Sequence, residues 1–310
     1  MSDHEPPFCF PKMSAPEPIY LAGPTAVGKS DIAADLAARI GGEVVGADAF
    51  QVYSGLDLLT AKPAPETLAR VPHHLIGIVP LSDSFDVNRY REMASTCIAD
   101  IAARGRVPVV AGGTGLYLRA LTRGLADLPE ADFALRERLL RKPLEDLRRE
   151  FAALDPEGAR TVDLQNPRRV IRALEVCLLT GRPFSSFREE WNEVATFRGV
   201  LLTREREALR DRIARRTDAM FEAGVVEEVR RAGEIGPTAA QAIGWREIRE
   251  LLAGTIDEPA CRERIILATR QYAKRQLTWF RREPALRVIE IAESEPTESI
   301  VARIRSELNV

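Results

Sequence analysis

Short apolar runs alternate with segments of helical spacing along the first 120 residues of the chain. The apolar runs have the length of buried strands, and the segments between them carry apolar residues three and four positions apart, as amphipathic helices do. The predicted elements, in order, are strand 19–22, helix 29–40, strand 43–47, strand 75–79, helix 87–104, strand 107–111 and helix 115–122. Strands that alternate with helices pair in parallel, so the pattern predicts an α/β fold with a parallel sheet.

The pattern changes between residues 121 and 195, where strand signals stop and charge-rich helical sequence takes over, most clearly at 132–151 and 167–179. A strand is predicted again at 199–203. The remaining predicted elements are helices near 205–233 and 257–282, a strand at 286–291 and a helix at 296–308. We therefore predict a flexible proline-rich leader at 1–18, an α/β core formed by 19–120 with 196–310, and an inserted small all-helical domain at 121–195.

Composition narrows the possible functions. With 310 residues, 45% of them hydrophobic, and a net charge of -2, the chain can bury a full core and has no overall bias toward nucleic acid. Its four cysteines lie far apart and its three histidines form no ligand pair, so we expect neither disulfides nor zinc. No apolar run reaches the roughly 20 residues that cross a membrane, and the leader does not resemble a signal peptide. We expect a cytoplasmic monomer without a membrane partner.

The sequence GPTAVGKS at 23–30 follows the first strand and opens the first helix, which is the context of a phosphate-binding P-loop. Such loops bind polyphosphates, most often ATP or another nucleotide, through backbone N–H groups and a lysine, and their serine hydroxyl ligates Mg²⁺. We therefore expect a Mg²⁺ cofactor with Ser30 as its ligand. The predicted diphosphate- or nucleotide-binding residues are Gly23, Pro24, Thr25, Ala26, Val27, Gly28, Lys29 and Ser30.

One acidic residue stands at the edge where the P-loop lies. The strand at 107–111 ends without the aspartate that nucleotide hydrolases use to organise Mg²⁺, whereas Asp48 directly follows the strand at 43–47. Asp48 is therefore the best candidate for a general base. From spacing alone, a plain Mg²⁺ ligand or a helix cap is an equally good interpretation.

Two further segments carry possible chemistry. Gly112, Gly113, Thr114 and Gly115 join a strand to a helix, where amides and the Thr114 hydroxyl can reach a ligand, although glycine-rich turns are more often structural. Cations at 262–287 are interleaved with Tyr272, Trp279 and Phe280, a pattern that suits nucleic acid or a solvated helix face equally well.

Six ordered segments resemble the tRNA dimethylallyltransferases, also called tRNA isopentenyltransferases. They are GPTAVGKS at 23–30, ADAFQVYSGLDLLTAKP at 47–63, GGTGLYLRAL at 112–121, NPRRVIRALEV at 166–176, AQAIGWREI at 240–248 and ATRQYAKRQLTWFR at 268–281. The resemblance implies a prenyltransferase on a P-loop NTPase-like core that moves a dimethylallyl group from dimethylallyl diphosphate to the exocyclic amine of the adenine 3′ of the anticodon, adenosine 37. The P-loop would then hold a leaving diphosphate.

The same resemblance assigns roles to single residues. Asp48 matches the family's general base, Lys29 and Thr114 match residues that act on the substrates, and Arg216 matches an arginine near the diphosphate, although Arg212 and Arg215 are close alternatives. The anticodon stem-loop of tRNA would be bound by Asp48, Ala49, Phe50, Gln51, Thr114, Arg136, Gln165, Asn166, Pro167, Arg168 and Arg169.

The chain departs from the family pattern at a few positions. Ala49 stands where serine is common, which puts in doubt a hydroxyl contact beside Asp48, and Trp245 replaces a tyrosine. Residues 286–310 lack the cysteines and histidines of the eukaryotic zinc finger, so the chain resembles the shorter bacterial form. Three alternatives share the P-loop and Asp48: a small-molecule kinase, an adenylate prenyltransferase, and an RNA-binding switch without transferase activity.

Overall fold

The structure is a computed structural model, and it describes residues 15–126, 128–187 and 196–310. Most of the predicted leader lies outside these ranges. The chain divides into two compact units, one formed by 1–121 with 196–310 and the other by 122–195. In the part of the chain that the structure describes, no helix combines the length and apolar character that a membrane crossing requires.

A six-stranded sheet forms the centre of the first unit, with strand order β3-β2-β4-β1-β5-β6 and parallel pairing throughout. Helices cover both faces, so the predicted α/β fold with a parallel sheet is confirmed. The strands are β1 (Ile19–Ala22), β2 (Gly42–Gly46), β3 (His73–His74), β4 (Val107–Gly112), β5 (Arg198–Arg204) and β6 (Leu286–Ile291).

Buried apolar residues hold the helices on the two faces of this sheet. Ile32 and Leu36 pack with Ile304 on one face, and Tyr90 packs with Tyr117 and Phe280 on the other. The helices of this unit are α1 (Lys29–Ile40), α2 (Pro65–Leu68), α3 (Val87–Ala103), α4 (Gly115–Arg123, which crosses the unit boundary), α9 (Arg206–Glu222), α10 (Val225–Arg231), α11 (Trp245–Leu252), α12 (Glu258–Phe280) and α13 (Thr297–Leu308).

The second unit is built from helices around a small apolar core of its own. Leu139, Leu147 and Phe151 pack against Val170 and Leu174. Its helices are α5 (Phe133–Leu140), α6 (Leu144–Leu154), α7 (Pro156–Thr161) and α8 (Pro167–Thr180), followed by a 3₁₀ turn at Phe184–Phe187. Helical sequence was predicted to run through 132–151, and it breaks where Pro143 precedes α6, because proline lacks the N–H that a continuous helix needs.

Two predicted elements are wrong in detail, and one helix was missed. The strand at 75–79 is replaced by the two-residue β3 and a single bridge between Tyr53 and Val79, because Leu75 (φ 62°) and Gly77 (φ 64°) turn the chain out of the extended conformation. The helix at 205–233 divides at Gly224 (φ 93°) into α9 and α10. Helix α11 was not predicted.

Candidate functional site

The P-loop joins β1 to α1 at the carboxyl edge of the sheet, where parallel α/β folds bind ligands. Ala26 (φ 64°) and Gly28 (φ 103°) adopt left-handed conformations, which turn the loop back on itself before the helix starts. A Cβ atom at Gly23 would lie 2.8 Å from the carbonyl oxygen of Leu202, so glycine is needed where the loop leaves the sheet. The loop is thus an open turn that ends at a helix N-terminus.

Lys29 folds back over this loop, and its Nζ donates a hydrogen bond to Pro24 O at 2.7 Å. Burial lowers the pKa of Lys29 to about 8, the Asp48 carboxylate raises it, and the Arg216 guanidinium lowers it further. The three charged groups therefore act on one another at one site. A bound polyphosphate would restore the pKa of Lys29 upward by supplying negative charge.

Two arginines of α9 complete the cationic side of the site. The Arg212 Nε donates to Ala26 O of the P-loop at 2.9 Å. Arg216 lines the same site, and its Nε is buried without a hydrogen-bond partner among the residues that the structure describes. Arg215 instead lies 3.9 Å from Glu293 with 65% of its side chain exposed. Of the three arginines considered from sequence, Arg216 is the one with a buried donor that lacks a partner within the described residues.

Asp48 lies two residues past β2, beside the P-loop. Its Oδ1 accepts hydrogen bonds from the backbone N–H of Phe50 (3.0 Å) and of Gln51 (3.4 Å), which fixes the carboxylate at the start of a turn. The carboxylate also raises the pKa values of Tyr117 and Tyr272, in addition to the larger effect of their burial. One carboxylate oxygen thus holds the backbone of a turn, and no helix begins in the described residues 49–64, so the helix-capping interpretation is wrong. The carboxylate is close enough to Lys29 and Arg216 to raise the pKa of both.

Thr114 links the glycine-rich loop to the Asp48 segment. Its Oγ1 accepts a hydrogen bond from Ala49 N at 3.1 Å, and its own N–H donates to Ala47 O at 3.2 Å. The contact uses the backbone of Ala49, so it does not depend on the serine hydroxyl that this chain lacks. The Thr114 side chain also lowers the pKa of Tyr272 of α12, against the larger increase that burial causes.

The glycines around Thr114 have packing roles. A Cβ atom at Gly112 would lie 2.0 Å from the carbonyl oxygen of Ala47, and one at Gly115 would lie 2.3 Å from the ring of Trp279. At Gly113 the Cβ would meet Gln276 Nε2 at 2.2 Å. Since real Cβ contacts are never this close, the loop needs glycine to let α12 and β2 approach.

Gln276 is the site residue that sequence reasoning missed. Its side chain is buried on α12, where Oε1 accepts a hydrogen bond from Thr25 N of the P-loop and Nε2 donates to Gly113 O, each at 2.8 Å. A single amide therefore joins the two ligand-facing loops. A glutamine at a buried position of a long amphipathic helix was the available signal, since buried polar side chains need specific partners.

Gln51, predicted to touch tRNA, holds a neighbouring turn in this structure. Its Nε2 donates to Ala61 O at 2.8 Å and to Thr60 O at 3.3 Å. The same segment is held from α10, where the Glu228 carboxylate accepts hydrogen bonds from Leu58 N and Leu59 N. The turn at 58–62 is thus fixed from two sides beside Asp48.

Two pockets meet at Asp48. The first is a cavity of about 280 Å³. Its lining includes Asp48, Arg212 and Arg216, together with the P-loop residues Thr25, Ala26, Gly28, Lys29 and Ser30. The second is a smaller pocket that shares Thr25, Asp48, Thr60 and Arg216 with the first. Its remaining walls are largely apolar, with Phe50, Leu59, Met220, Ala242, Ile243 and Ile265. The cavity lined by the P-loop and two arginines and the largely apolar pocket therefore share the Asp48 carboxylate.

The donor set of the first cavity fits Mg²⁺. The Ser30 hydroxyl and the Asp48 carboxylate both face it, and both offer the hard oxygen atoms that Mg²⁺ prefers. No group of three or more His, Cys, Asp or Glu side chains that could hold a metal ion occurs within the described residues. Such a group is not needed at a P-loop, where Mg²⁺ takes most ligands from phosphate and water.

The other residues predicted to touch tRNA belong to the helical unit. Arg136 donates to the buried Glu175 carboxylate at 2.9 Å, and Arg172 donates to the same oxygen at 2.6 Å. Asn166 caps α8 by accepting from Arg168 N and Arg169 N, with Pro167 at the first helical position. Gln165 accepts from Arg148.

The cations at 262–287 do not form one uniform surface. Three of them have carboxylate partners: Arg262 pairs with Glu258 and Asp218, Arg264 with Glu250, and Arg287 with Glu307. The aromatic residues of the segment are divided as well. Phe280 is buried in the core, and Tyr272 lines the apolar pocket.

Comparison with known proteins gives a consistent result. A family model described as IPP transferase matches residues 51–283. A tRNA dimethylallyltransferase of Thioalkalivibrio sulfidiphilus is 42% identical over 312 residues, which cover 96% of this chain and 97% of that protein. The crystal structure of a tRNA isopentenylpyrophosphate transferase from Bacillus halodurans aligns with a TM-score of 0.69 at 35% identity, covering 94% of this chain and 97% of that one. A eukaryotic dimethylallyltransferase acting on tRNA aligns with a TM-score of 0.77 at 26% identity, covering 93% and 78%.

Proposed function

The chain belongs to the IPP transferase family, and from this premise we propose that it transfers a dimethylallyl group from dimethylallyl diphosphate to the exocyclic amine of adenosine 37 in tRNA. The products are N6-dimethylallyladenosine and diphosphate. The match to the family model and to the relatives confirms the resemblance that the six sequence segments indicated. We further propose that the reaction takes place in the cytoplasm.

The main support for this proposal is that the P-loop cavity and the smaller apolar pocket meet at Asp48. Dimethylallyl diphosphate has one strongly anionic end and one five-carbon apolar end. The P-loop cavity suits the first end and the smaller pocket suits the second. The carbon that reacts lies between the two ends of the molecule, so it would lie close to Asp48.

The cationic residues have a defined task in this reaction. As the allylic C–O bond breaks, negative charge develops on the diphosphate, and groups that are already oriented stabilise it without reorganisation. Lys29, the buried Arg216 and the P-loop amides form such a set. Arg216 keeps an unsatisfied Nε donor, which a diphosphate oxygen would satisfy.

Asp48 is proposed as the general base. The exocyclic amine of adenine is a weak nucleophile because its lone pair is delocalised into the ring. As its nitrogen bonds to the allylic carbon and the diphosphate leaves, one amine proton must be removed, and the Asp48 carboxylate would accept it. The hydrogen bonds from Phe50 and Gln51 hold one carboxylate oxygen in place and leave the other for this task.

We propose that Mg²⁺ is held by Ser30 and by oxygens of the bound diphosphate. When bound, the cation would neutralise charge on the diphosphate. Ser30 lies at the start of α1, where its hydroxyl can reach an anion bound by the loop. Asp48 lines the same cavity and would add negative charge near the cation.

A target adenine has to leave its stack in the anticodon loop to reach Asp48, at a cost of a few kcal/mol. Contacts with other parts of the tRNA offset this cost. We propose that residues 48–51 and Thr114 contact the extruded nucleotide, and that residues 165–169 and Arg136 contact the anticodon arm.

The test is incorporation of label from radioactive dimethylallyl diphosphate by the purified protein, with unmodified tRNA and AMP offered separately. We expect label in tRNA and none in AMP. The Asp48→Asn variant should lose activity by about 10²- to 10⁴-fold while its affinity for tRNA changes little, because Asn keeps the hydrogen bond from Phe50 but does not accept the proton. Asp83→Asn, at an exposed ion pair with Arg89, is the control and should remain active. Label in AMP alone, or full turnover by Asp48→Asn, would contradict the proposal.

A further inference from the structure

The smaller pocket beside Asp48 lies between two antiparallel helices, α9 and α12. Ile213, early in α9, packs against Leu277, late in α12, whereas Arg262, early in α12, pairs with Asp218, late in α9. The pocket takes lining residues from both helices, and its volume is about 60 Å³, against about 280 Å³ for the P-loop cavity. A ligand that enters this narrow space at Asp48 is therefore directed along the two helices.

Met220 and Ile265 lie at the end of the pocket that is farther from the P-loop. Arg216 lines both the pocket and the P-loop cavity, and Met220 follows it by one turn of α9, a rise of about 6 Å. On α12, Ile265 precedes Tyr272 by about two turns. Because the helices are antiparallel, both steps lead in the same direction away from Asp48. A rise of this size matches a short branched carbon chain, whose methyl groups would reach Met220.

The core of the molecule closes this end of the pocket. Met220, Ala242 and Ile265 are buried and belong to one apolar cluster. A Cβ atom at Gly244 would lie 2.8 Å from Leu59 and 3.4 Å from Ile265, so backbone already fills the space behind these side chains. Since protein interiors are close-packed, a longer ligand would advance only by displacing side chains.

We propose that Met220 limits the prenyl donor to five-carbon allylic diphosphates, an inference that rests on the proposed function. Geranyl diphosphate carries the same diphosphate and the same reacting carbon as dimethylallyl diphosphate. With either donor the allylic C–O bond breaks, the bond from the adenine nitrogen to the allylic carbon forms, the amine proton passes to Asp48 and diphosphate leaves. The P-loop and its cations therefore cannot distinguish the two donors.

The additional five carbons of the geranyl group would have to occupy the space of the Met220 side chain. Forcing extra carbon atoms into a packed site displaces side chains from their preferred conformations, and even one methylene group in such a pocket changes selectivity by about tenfold or more. Met220 would thus determine specificity through contact with the apolar end of the donor. Truncation of Met220 should extend the pocket in the direction in which the longer chain continues.

The test uses two variants that change the pocket in opposite directions. Met220→Ala lengthens it, and Ala242→Val fills part of it. Met93→Ala removes the same side chain from a partly buried position of α3 and is the matched control. For each full-length protein, kcat/KM is measured with dimethylallyl and with geranyl diphosphate at a fixed tRNA concentration. Inhibition by inorganic diphosphate reports on the anion site, and calorimetry gives Kd for both donors.

We expect the wild type to prefer dimethylallyl diphosphate by about 100-fold or more. Met220→Ala should raise the ratio of geranyl to dimethylallyl transfer by about tenfold or more, whereas Met93→Ala keeps the wild-type ratio. Ala242→Val should lower kcat/KM for dimethylallyl diphosphate by about tenfold. Inhibition by inorganic diphosphate should stay within about twofold of the wild type in all three variants.

An unchanged ratio in Met220→Ala, or the same change in Met93→Ala, would overturn the proposal. So would a wild type that transfers geranyl and dimethylallyl groups equally well. If Met220→Ala does not fold, full use of dimethylallyl diphosphate by Ala242→Val overturns it instead. If the wild type transfers no prenyl group to tRNA, the proposed function fails, and the ratio of the two Kd values in the wild type and in Met220→Ala still decides whether Met220 limits the chain length.

Discussion

The two hydrogen bonds of Gln276 hold the P-loop and the glycine-rich loop together, and the effect of removing them can be predicted. Gln276→Met keeps a long, flexible side chain of similar size but removes both amide hydrogen bonds, to Thr25 N and to Gly113 O. We expect the variant to fold, to be less stable, and to bind dimethylallyl diphosphate more weakly, because the P-loop loses its tie to the glycine-rich loop.

The size of the effect follows from the two groups left without partners. An unpaired buried backbone group costs about 1–3 kcal/mol. Gly113 is buried and takes this full cost, whereas Thr25 is partly exposed and regains some hydrogen bonding from water. The loss should total about 2–4 kcal/mol, which corresponds to roughly 3–6 °C in melting temperature for a chain of this size.

Gln276→Glu separates the two hydrogen bonds. Its carboxylate still accepts from Thr25 N, but it loses the donor to Gly113 O and adds a negative charge beside the anion-binding loop. We expect its diphosphate affinity to fall below that of the Met variant, by about tenfold or more. Its stability should fall as well, because a buried carboxylate oxygen would face Gly113 O.

The assays are thermal unfolding by circular dichroism, calorimetric titration with dimethylallyl diphosphate, and steady-state kinetics. Gln271→Met, at an exposed position of the same helix, is the matched control and should melt within about 1 °C of the wild type. If Gln276→Met melts as the control does and keeps the wild-type KM for dimethylallyl diphosphate, the two hydrogen bonds do not position the P-loop and the reasoning is refuted.

Two further predictions concern ionisation. Diphosphate binding should weaken above pH 8, where the free protein loses the Lys29 proton. Binding at pH 8.5 should take up protons because the anion raises the pKa of Lys29, and calorimetry in buffers of different ionisation enthalpy measures this uptake. An affinity that does not change between pH 7 and pH 9.5 would refute the prediction. Glu43 is buried near the start of β2, where it pairs with Arg104, Arg106 and His74. Hydrogen bonds from Arg104 hold the pKa of Glu43 at about 2. The depressed pKa of Glu43 stabilises the fold above about pH 4.5, and this stabilisation disappears as the pH falls toward 2. Glu43→Gln should therefore lower the free energy of unfolding, measured by denaturant titration, by about 2 kcal/mol near pH 7 and by little at pH 2. An equal loss at both pH values would contradict this.

The sheet was predictable because its strands carry continuous apolar runs that both faces bury, as at Ile19–Ala22. The failures are local. Leu75 adopts a left-handed conformation that a leucine rarely takes, so no pattern in the sequence indicates it. The break at Gly224 was visible, since glycine inside a helical pattern often ends the helix. Helix α11 has an amphipathic pattern but only eight residues, too few to stand out from a loop.

The site was predictable where a motif carries the chemistry within a few residues. Lys29 and Asp48 each follow a strand whose carboxyl end faces the ligand edge, and this position along the chain is enough to place both of them at the site. Gln276 could not be placed in this way, because its partner Thr25 lies 251 residues away along the chain. Likewise, the glycines at 112–115 suggested contact with a ligand, whereas their need for glycine comes from Ala47, Gln276 and Trp279, neighbours that only the fold brings close.

If this protein prenylates adenosine 37 of tRNA, cells without it must lack the product in their tRNA. The most direct test is mass analysis of tRNA nucleosides from cells that have or lack the protein, with the missing gene restored as wild type or as Asp48→Asn. We expect N6-dimethylallyladenosine, or derivatives made from it, only with the wild-type protein. Unchanged levels of the modified nucleoside in cells without the protein, or full restoration by Asp48→Asn, would contradict it.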